Sequence, residues 1–319
     1  MYRLGFDIGG TNIGAGVIDE KARIVAKRQI PFPLWEPVRL VCEEMRQMAD
    51  EMAKELEIST SDFKYAGIAV PGSLDSKKEK VIRAFNLGFY DVPLKSCAMD
   101  YFPGLNIFMA NDADAAALAE LYRGAFRSCN SGVLLTLGTG VGGGLILNGR
   151  VYRGGMGHGV ELGHMPVNCR EGDLCTCGNR GCIETFCSAT WIIKRGQEAM
   201  DKKEGVFLRH KVKGDRNAMT AKIVIDCARE GDEASWNIFE EYIDNLTCAI
   251  TGIINLLDPE VIALGGGVSQ AGEFLLAPVR ERVLEKTFVR YPYKILGAQL
   301  GNDGGIIGAA LLGEQNLIE

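Results

Sequence analysis

The spacing of apolar residues changes several times along the chain between strand-like and helix-like patterns. Residues 2–30 form three apolar-leaning runs separated by glycine-rich or charged turns, which predicts a β-meander. Residues 36–57 place an apolar side chain at every third or fourth position, which predicts one long helix with its methionines facing the core. Two short β-rich runs, 65–70 and 107–110, predict strands that end in polar loops.

The second half of the chain mixes strand and helix patterns. Residues 132–149 predict two strands around a glycine turn. The spacing of Gly138, Gly140 and Gly143 matches a dinucleotide fingerprint, but that motif opens a helix and here a strand pattern follows, which excludes a Rossmann site. One further strand is predicted at 260–264. Helices are predicted at 189–200, 220–229 (capped by Thr220), 234–257, from about 273, and after the glycines of 301–305. A charged surface loop is predicted at 202–216. This alternation predicts an α/β protein.

Composition narrows the functional classes. The chain has 319 residues, 47% hydrophobic and 24% charged, enough for two hydrophobic cores. A formal net charge of -6 without a basic cluster argues against nucleic-acid binding. Neither a signal-peptide pattern nor an apolar run long enough for a membrane span is present in the sequence. We therefore expect a cytoplasmic protein that acts on small molecules.

A short cysteine-rich segment carries the strongest chemical signal. Cys175, Cys177 and Cys182 lie within eight residues, and His164 precedes them. Three thiolates and one imidazole match the tetrahedral preference of structural Zn²⁺. A disulfide or a redox pair is a weaker interpretation, because a Cys-x-Cys ring is strained and nothing indicates export. The segment predicts a zinc site, with acidic residues held at both of its ends.

Glycine-rich turns follow predicted strands at three places, after residues 7, 136 and 264. Backbone amides in such turns bind anions, and glycine lets a phosphate approach closely. Any one turn could be an ordinary hairpin. Asp112 at a strand end could likewise be only part of a helix cap. The three turns together with this aspartate favour a phosphate-binding site over ordinary hairpins and a cap.

These motifs resemble those of the ROK (repressor, open reading frame, kinase) family of sugar kinases, over nearly the whole chain. Residues 7–12 resemble its first phosphate motif, 137–143 its second and 264–268 its adenosine motif, while 161–184 is similar to its zinc signature. The resemblance implies two actin-like and hexokinase-like (ribonuclease H-like) α/β domains with an active-site cleft between them. The expected domains are a smaller one, 1–115 plus 303–319, and a larger one, 116–302, which carries the zinc site.

The resemblance also implies roles for individual residues. Asp112 would be the general base for the sugar hydroxyl at carbon 6, and Asp7 would hold Mg²⁺ through water. The implied sugar-binding residues are Gly72, Asn86, Asn111, Asp112, Glu161, His164 and Glu184. The implied ATP-binding residues are Asp7, Gly9, Gly10, Thr11, Asn12, Gly138, Thr139, Gly140, Gly265, Gly266 and Gly267. The implied ligands of the structural Zn²⁺ are His164, Cys175, Cys177 and Cys182, with the other His164 nitrogen directed to the sugar.

The implied activity is ATP-dependent phosphorylation of a hexose, and glucose is the first candidate substrate. The resemblance also implies a homodimer. Phe89 stands where glucose kinases of the family often carry Trp, so fructose, allose, N-acetylglucosamine and N-acetylmannosamine stay alternative substrates. A non-catalytic, sugar-responsive regulator is less favoured. The repressors of the family carry a DNA-binding segment ahead of the first phosphate motif, which here starts at residue 7.

Overall fold

In the computed structural model the described residues are 1–316, apart from residues 35 and 171. The chain divides into two compact units, the first Met1–Ser131, Gly144–Val160 and Leu300–Glu319, the second Gly132–Gly143 and Glu161–Gln299. The domain bounds expected from the sequence stay a prediction. Among helices of the described residues, none is both long and apolar enough to cross a membrane.

Strands and helices occur close to most of the positions that the sequence pattern predicts. The strands are β1 (Tyr2–Ile8), β2 (Asn12–Ile18), β3 (Ile24–Pro31), β4 (Phe63–Val70), β5 (Ser73–Leu74), β6 (Val81–Ala84), β7 (Phe89–Val92), β8 (Ile107–Asn111), β9 (Gly132–Leu137), β10 (Val141–Leu147), β11 (Arg150–Val151), β12 (Val261–Gly265) and β13 (Lys294–Gly297). The helices are α1 (Val38–Glu55), α2 (Leu94–Tyr101), α3 (Asp112–Arg123), α4 (Glu184–Cys187), α5 (Ala189–Met200), α6 (Val206–Lys211), α7 (Ala221–Arg229), α8 (Glu233–Leu257), α9 (Glu273–Lys286) and α10 (Gly304–Asn316).

The first unit is built on a mixed sheet with strand order β3-β2-β1-β4-β8. Strands β1, β4 and β8 are parallel to one another, and β2 and β3 complete the predicted meander. The methionine stripe of α1 is core, since Met45, Met48 and Met52 are buried with the apolar face of the sheet. On the other face α10 approaches closely, because a side chain at Gly5 or Gly67 would overlap its backbone.

A second sheet has the order β11-β10-β9-β12-β13, and β9, β12 and β13 run parallel. Within the second unit, α8 packs against α7 and α9. Its buried face includes Tyr242, whose ring lies 6.2 Å from that of Trp191 in α5. This core supports the loops that follow β9 and β12.

Several elements differ from the sequence prediction, among them α2 and β13, which it did not include. The loop expected at 202–216 contains α6, because Leu208 and Val212 lie four residues apart and are both buried. The small sheet of order β5-β6-β7 was not predicted, since its strands have two to four residues each. The predicted cap of α7 is confirmed, with Ile223 N donating to Thr220 Oγ1 at 3.1 Å.

Candidate active site and metal cluster

Two aspartates lie at the carboxyl edge of the parallel strands of the first unit. Asp7 pairs in register with Ala69, and Ala69 pairs with Ala110, two residues before Asp112. Since one strand separates them, β1 and β8 are about 10 Å apart. Burial and the charge of Asp112 raise the pKa of Asp7 to about 6, against an opposing effect of Lys27. The Asp112 carboxylate therefore acts electrostatically on Asp7.

Asp112 is the first residue of α3 and is accessible to solvent. Crowding by protein atoms still removes part of its water, which raises the pKa of its carboxyl. The helix cap is Asn111, whose Oδ1 accepts a bond from Ala113 N at 2.8 Å. Asp112 Oδ1 also accepts from Ala113 N, at 2.9 Å. The cap interpretation thus applies to Asn111, while Asp112 keeps a solvent-accessible carboxylate of raised pKa.

Asn111 also connects the start of α3 to the loop after β4. Its Nδ2 donates to the carbonyl oxygen of Gly72 at 3.0 Å. Gly72 has φ +87°, and a side chain there would overlap the carbonyl of Arg83. Only glycine suits this position, so the loop at Gly72 is held beside Asn111 and Asp112.

The first glycine turn joins β1 to β2. Gly9 N donates to Asn12 O at 2.8 Å, and Asn12 Nδ2 donates to Thr11 Oγ1 at 2.9 Å. Gly10 and Thr11 are exposed. A Cβ atom at Gly10 would lie 3.2 Å from that of Asn86, so the predicted sugar-binding residue Asn86 lies beside this turn.

Asp7 itself lies against the first turn of α10. A Cβ atom at Gly305 would overlap the carboxyl carbon and both carboxyl oxygens of Asp7. A Cβ atom at Gly304 would be no closer than 3.8 Å to its nearest neighbour. Because Gly305 has no side chain, the Asp7 carboxylate can occupy this space.

The predicted metal ligands of the second unit converge. The ligand atoms of His164, Cys175, Cys177 and Cys182 all lie within 4.8 Å of one another. Cys175 Sγ is 3.4 Å from His164 Nδ1, and Cys177 Sγ is 3.7 Å from Cys182 Sγ. A tetrahedral Zn²⁺ requires about 3.5 Å between nitrogen and sulfur and about 3.8 Å between sulfurs. These two distances fit that ion, and binding through Nδ1 would leave His164 Nε2 for another partner.

Glu161 and Glu184 flank this cluster in different ways. Glu161 is exposed, and its carbonyl accepts a bond from His164 N at 3.0 Å. Glu184 is the first residue of α4 and is half-buried. Its Oε2 accepts from Val141 N at 3.1 Å and its Oε1 from Thr176 Oγ1 at 3.0 Å. Glu184 therefore contacts both the metal cluster and the second glycine turn.

The second glycine turn, residues 138–140, is fixed by the start of α5. Ala189 N donates to Gly138 O, and Thr190 Oγ1 donates to Thr139 O, each at 2.7 Å. Thr139 itself is exposed. With its carbonyls anchored on one side, the turn keeps a defined backbone for an anionic ligand.

The third glycine turn follows β12 and lies against the end of β9. Gly266 has φ +82°, and a side chain there would overlap the backbone of Leu137. Gly266 and Gly267 are exposed, while Gly265 is buried as the last residue of β12. Parallel pairing of β9 with β12 thus places the second and third turns next to each other.

A sequence model of the ROK family matches residues 3–316. The chain belongs to the ROK family. The glucokinase of Thermotoga maritima is 35% identical over 316 residues, which cover 96% of this chain and 95% of that protein. The glucokinase of Halalkalibacterium halodurans is 33% identical, with 98% of this chain and 95% of that protein covered.

A solved structure of a ROK family glucokinase from Streptomyces griseus, in complex with glucose and AMPPNP, superposes with a TM-score of 0.85. It is 30% identical, and the match covers 99% of this chain and 100% of that one. The predicted two-domain, hexokinase-like α/β fold is thereby confirmed.

In this ROK protein the first unit brings together Asp7, Gly9, Gly10, Thr11, Asn12, Gly72, Asn86, Asn111 and Asp112, and the second brings together the other predicted site residues. Sequence reasoning missed Gly305 and Thr176. Both stand inside motifs that it did single out, the last glycine turn and the Cys-x-Cys pair, but only the fold shows their contacts with Asp7 and Glu184.

Proposed function

We propose that this ROK protein transfers the γ-phosphoryl group of ATP to the carbon-6 hydroxyl of a hexose, with glucose as the first candidate. The observation that carries the proposal is the pair Asp7 and Asp112 at the carboxyl edge of the parallel strands of one mixed sheet, with raised pKa values. Such a pair suits one carboxylate that accepts a proton as a base and one that supports a cation. The similarity to glucokinases supports a hexose kinase.

Asp112 is the proposed general base. The carbon-6 hydroxyl gives its proton to the Asp112 carboxylate as its oxygen bonds to the γ-phosphorus, and the bond from that phosphorus to the bridging oxygen breaks, releasing ADP. A base with a raised pKa holds the proton better than an ordinary aspartate does. The Ala113 N bond orients Asp112 Oδ1 for this role.

The glycine turns would bind the nucleotide. Backbone amides of 9–12 and 138–140 suit phosphate oxygens, and the turn at Gly266 suits the adenosine. The Asp7 carboxylate fits a cation at this place, because burial and a second carboxylate disfavour its charge when it stands alone. Mg²⁺ bound there through water would neutralise phosphate charge.

The metal cluster has a supporting role in this proposal. Structural Zn²⁺ would crosslink His164 to the segment 175–182 and so fix both flanking glutamates. Glu161, Glu184 and His164 Nε2 are the proposed ligands of sugar hydroxyls, together with Gly72, Asn86 and Asn111. Homodimer formation, a role in glycolysis and a cytoplasmic location stay predictions.

The sequence keeps other hexoses as alternatives to glucose because of Phe89. Phe89, at the position where Trp was expected for a glucose enzyme, is buried and packs edge-on against Phe32 at 6.0 Å. Its ring belongs to the hydrophobic core of the first unit.

Measuring ADP formation with glucose, fructose, mannose, allose and the 2-acetamido hexoses tests the proposal. We expect the highest kcat/KM with glucose and a phosphorylated product at carbon 6, identified by nuclear magnetic resonance. A preference for a 2-acetamido sugar would replace glucose as substrate. Sugar binding without any sugar-dependent ADP would overturn the kinase proposal in favour of a regulator.

A further inference from the structure

Glu184 connects the metal cluster to the glycine turn by one carboxylate. Its Oε1 accepts from the hydroxyl of Thr176, the residue between two metal-ligand cysteines, at 3.0 Å. Its Oε2 accepts from the backbone amide of Val141, directly after the turn 138–140, at 3.1 Å. A carboxylate is rigid and planar, so fixing one oxygen restricts the other.

The turn has no free space on this side. A side chain at Gly140 would overlap Glu184 Oε2, so the carboxylate lies directly against the turn backbone. A rotation of Glu184 must therefore either break its bond to Val141 N or move the turn. The backbone at Gly140 and Val141, at the end of the turn that α5 does not anchor, is therefore coupled to the rotamer of Glu184.

The metal cluster alone would not hold that rotamer. Cys175 Sγ lies 3.7 Å from Glu184 Oε1, and a thiol there can donate a weak hydrogen bond. At 3.7 Å this sulfur contact is longer and weaker than the 3.0 Å bond from the Thr176 hydroxyl. Among the described contacts of Oε1, the Thr176 hydroxyl is then the donor that holds this oxygen beside the cluster.

We propose that Thr176 is a positioning residue, whose hydroxyl orients Glu184 so that Glu184 holds the backbone at Val141 in the conformation that binds nucleotide phosphate. The proposal rests on the proposed function, since it assumes that the turn 138–140 binds ATP. Because Glu184 is also a proposed sugar ligand, the same hydroxyl would couple the two substrates, and coupling between two binding sites is reciprocal.

The test compares Thr176→Val and Thr176→Ser with the wild-type holoprotein. Valine keeps the shape but removes the hydroxyl, and serine restores it. Zinc content is measured by atomic absorption, and dissociation constants for AMPPNP and glucose by calorimetry, each with and without the other ligand. We expect unchanged zinc, an AMPPNP dissociation constant about three- to tenfold higher in Thr176→Val, as for loss of one solvent-exposed hydrogen bond to a charged group, and recovery in Thr176→Ser.

Thr185→Val is the matched control. It removes a hydroxyl beside the same cluster that donates to the Cys182 carbonyl at 2.8 Å and makes no described bond to the carboxylate of the neighbouring Glu184. We expect its AMPPNP affinity to equal that of the wild type. The proposal is overturned if Thr176→Val keeps zinc and binds AMPPNP as the wild type does, or if both valine variants weaken binding equally. Absence of AMPPNP binding by the wild type would instead reject the proposed function.

Discussion

Replacing Asp7 with asparagine should stabilise the ligand-free protein, because the aspartate is held in a place that disfavours its charge. Its pKa is raised from 3.8 to about 6 by burial and by Asp112. A shift of roughly two units corresponds to about 3 kcal/mol between the charged and neutral forms. Asparagine has the same shape and no charge, so up to about 3 kcal/mol of unfolding free energy should be regained at pH 7.5.

The sign of the pH dependence follows from the direction of the shift. Between about pH 4 and pH 6 the folded protein binds the Asp7 proton and the unfolded chain does not, so the stability due to this group falls as pH rises. The advantage of Asp7→Asn should therefore be full above pH 6.5 and nearly absent at pH 4. The assay is urea unfolding followed by circular dichroism across this range, without nucleotide or added Mg²⁺.

Asp19 provides a control of opposite sign. Hydrogen bonds from Arg23 and from the amides of Arg23 and Lys21 lower the pKa of Asp19 despite an opposing desolvation effect. Asp19→Asn should therefore destabilise the protein at pH 7.5 and lose that effect in acid. If Asp7→Asn is no more stable than the wild type at pH 7.5, or if its advantage does not change with pH, the assignment of an unfavourable charge at Asp7 is wrong.

Two further substitutions test the same site from other directions. Gly305→Ala should displace the Asp7 carboxylate and lower kcat/KM about tenfold or more in a coupled ADP assay. Gly304→Ala, whose new methyl group makes only ordinary contacts, should retain activity. Equal activity of the two variants would show that the space at Gly305 is unimportant. Cys182→Ser should remove most bound zinc in atomic absorption and lower the melting temperature, and a variant with full zinc content would exclude Cys182 as a ligand.

The sequence predicts those parts of the fold that are determined by residues close together in the chain. The methionine stripe of α1, the Thr220 cap of α7 and the glycines after β1, β9 and β12 are readable because period, capping and backbone freedom act within a few residues. The buried face of α6 was missed because its six residues contain only a short apolar repeat.

The geometry of the site depends on long-range pairing. Asp7 and Asp112 are 105 positions apart in the chain and approach each other because β4 pairs in parallel with both β1 and β8. The strand order cannot be read from hydrophobic period. Likewise, the contact of Gly305 with Asp7 arises from the packing of α10 on β1, from opposite ends of the sequence. The sequence therefore predicts which residues belong to the candidate site more readily than it predicts which of those residues contact one another.

The most direct test of the central claim is hexose-dependent ADP formation by the wild type and by Asp112→Asn, with glucose binding measured in parallel by calorimetry. Asparagine can still accept the bond from Ala113 N, so the fold and the sugar affinity should be retained. The account predicts glucose-dependent turnover by the wild type and a loss of about 10²- to 10⁴-fold in kcat for the variant. Turnover by Asp112→Asn at the wild-type rate would contradict it.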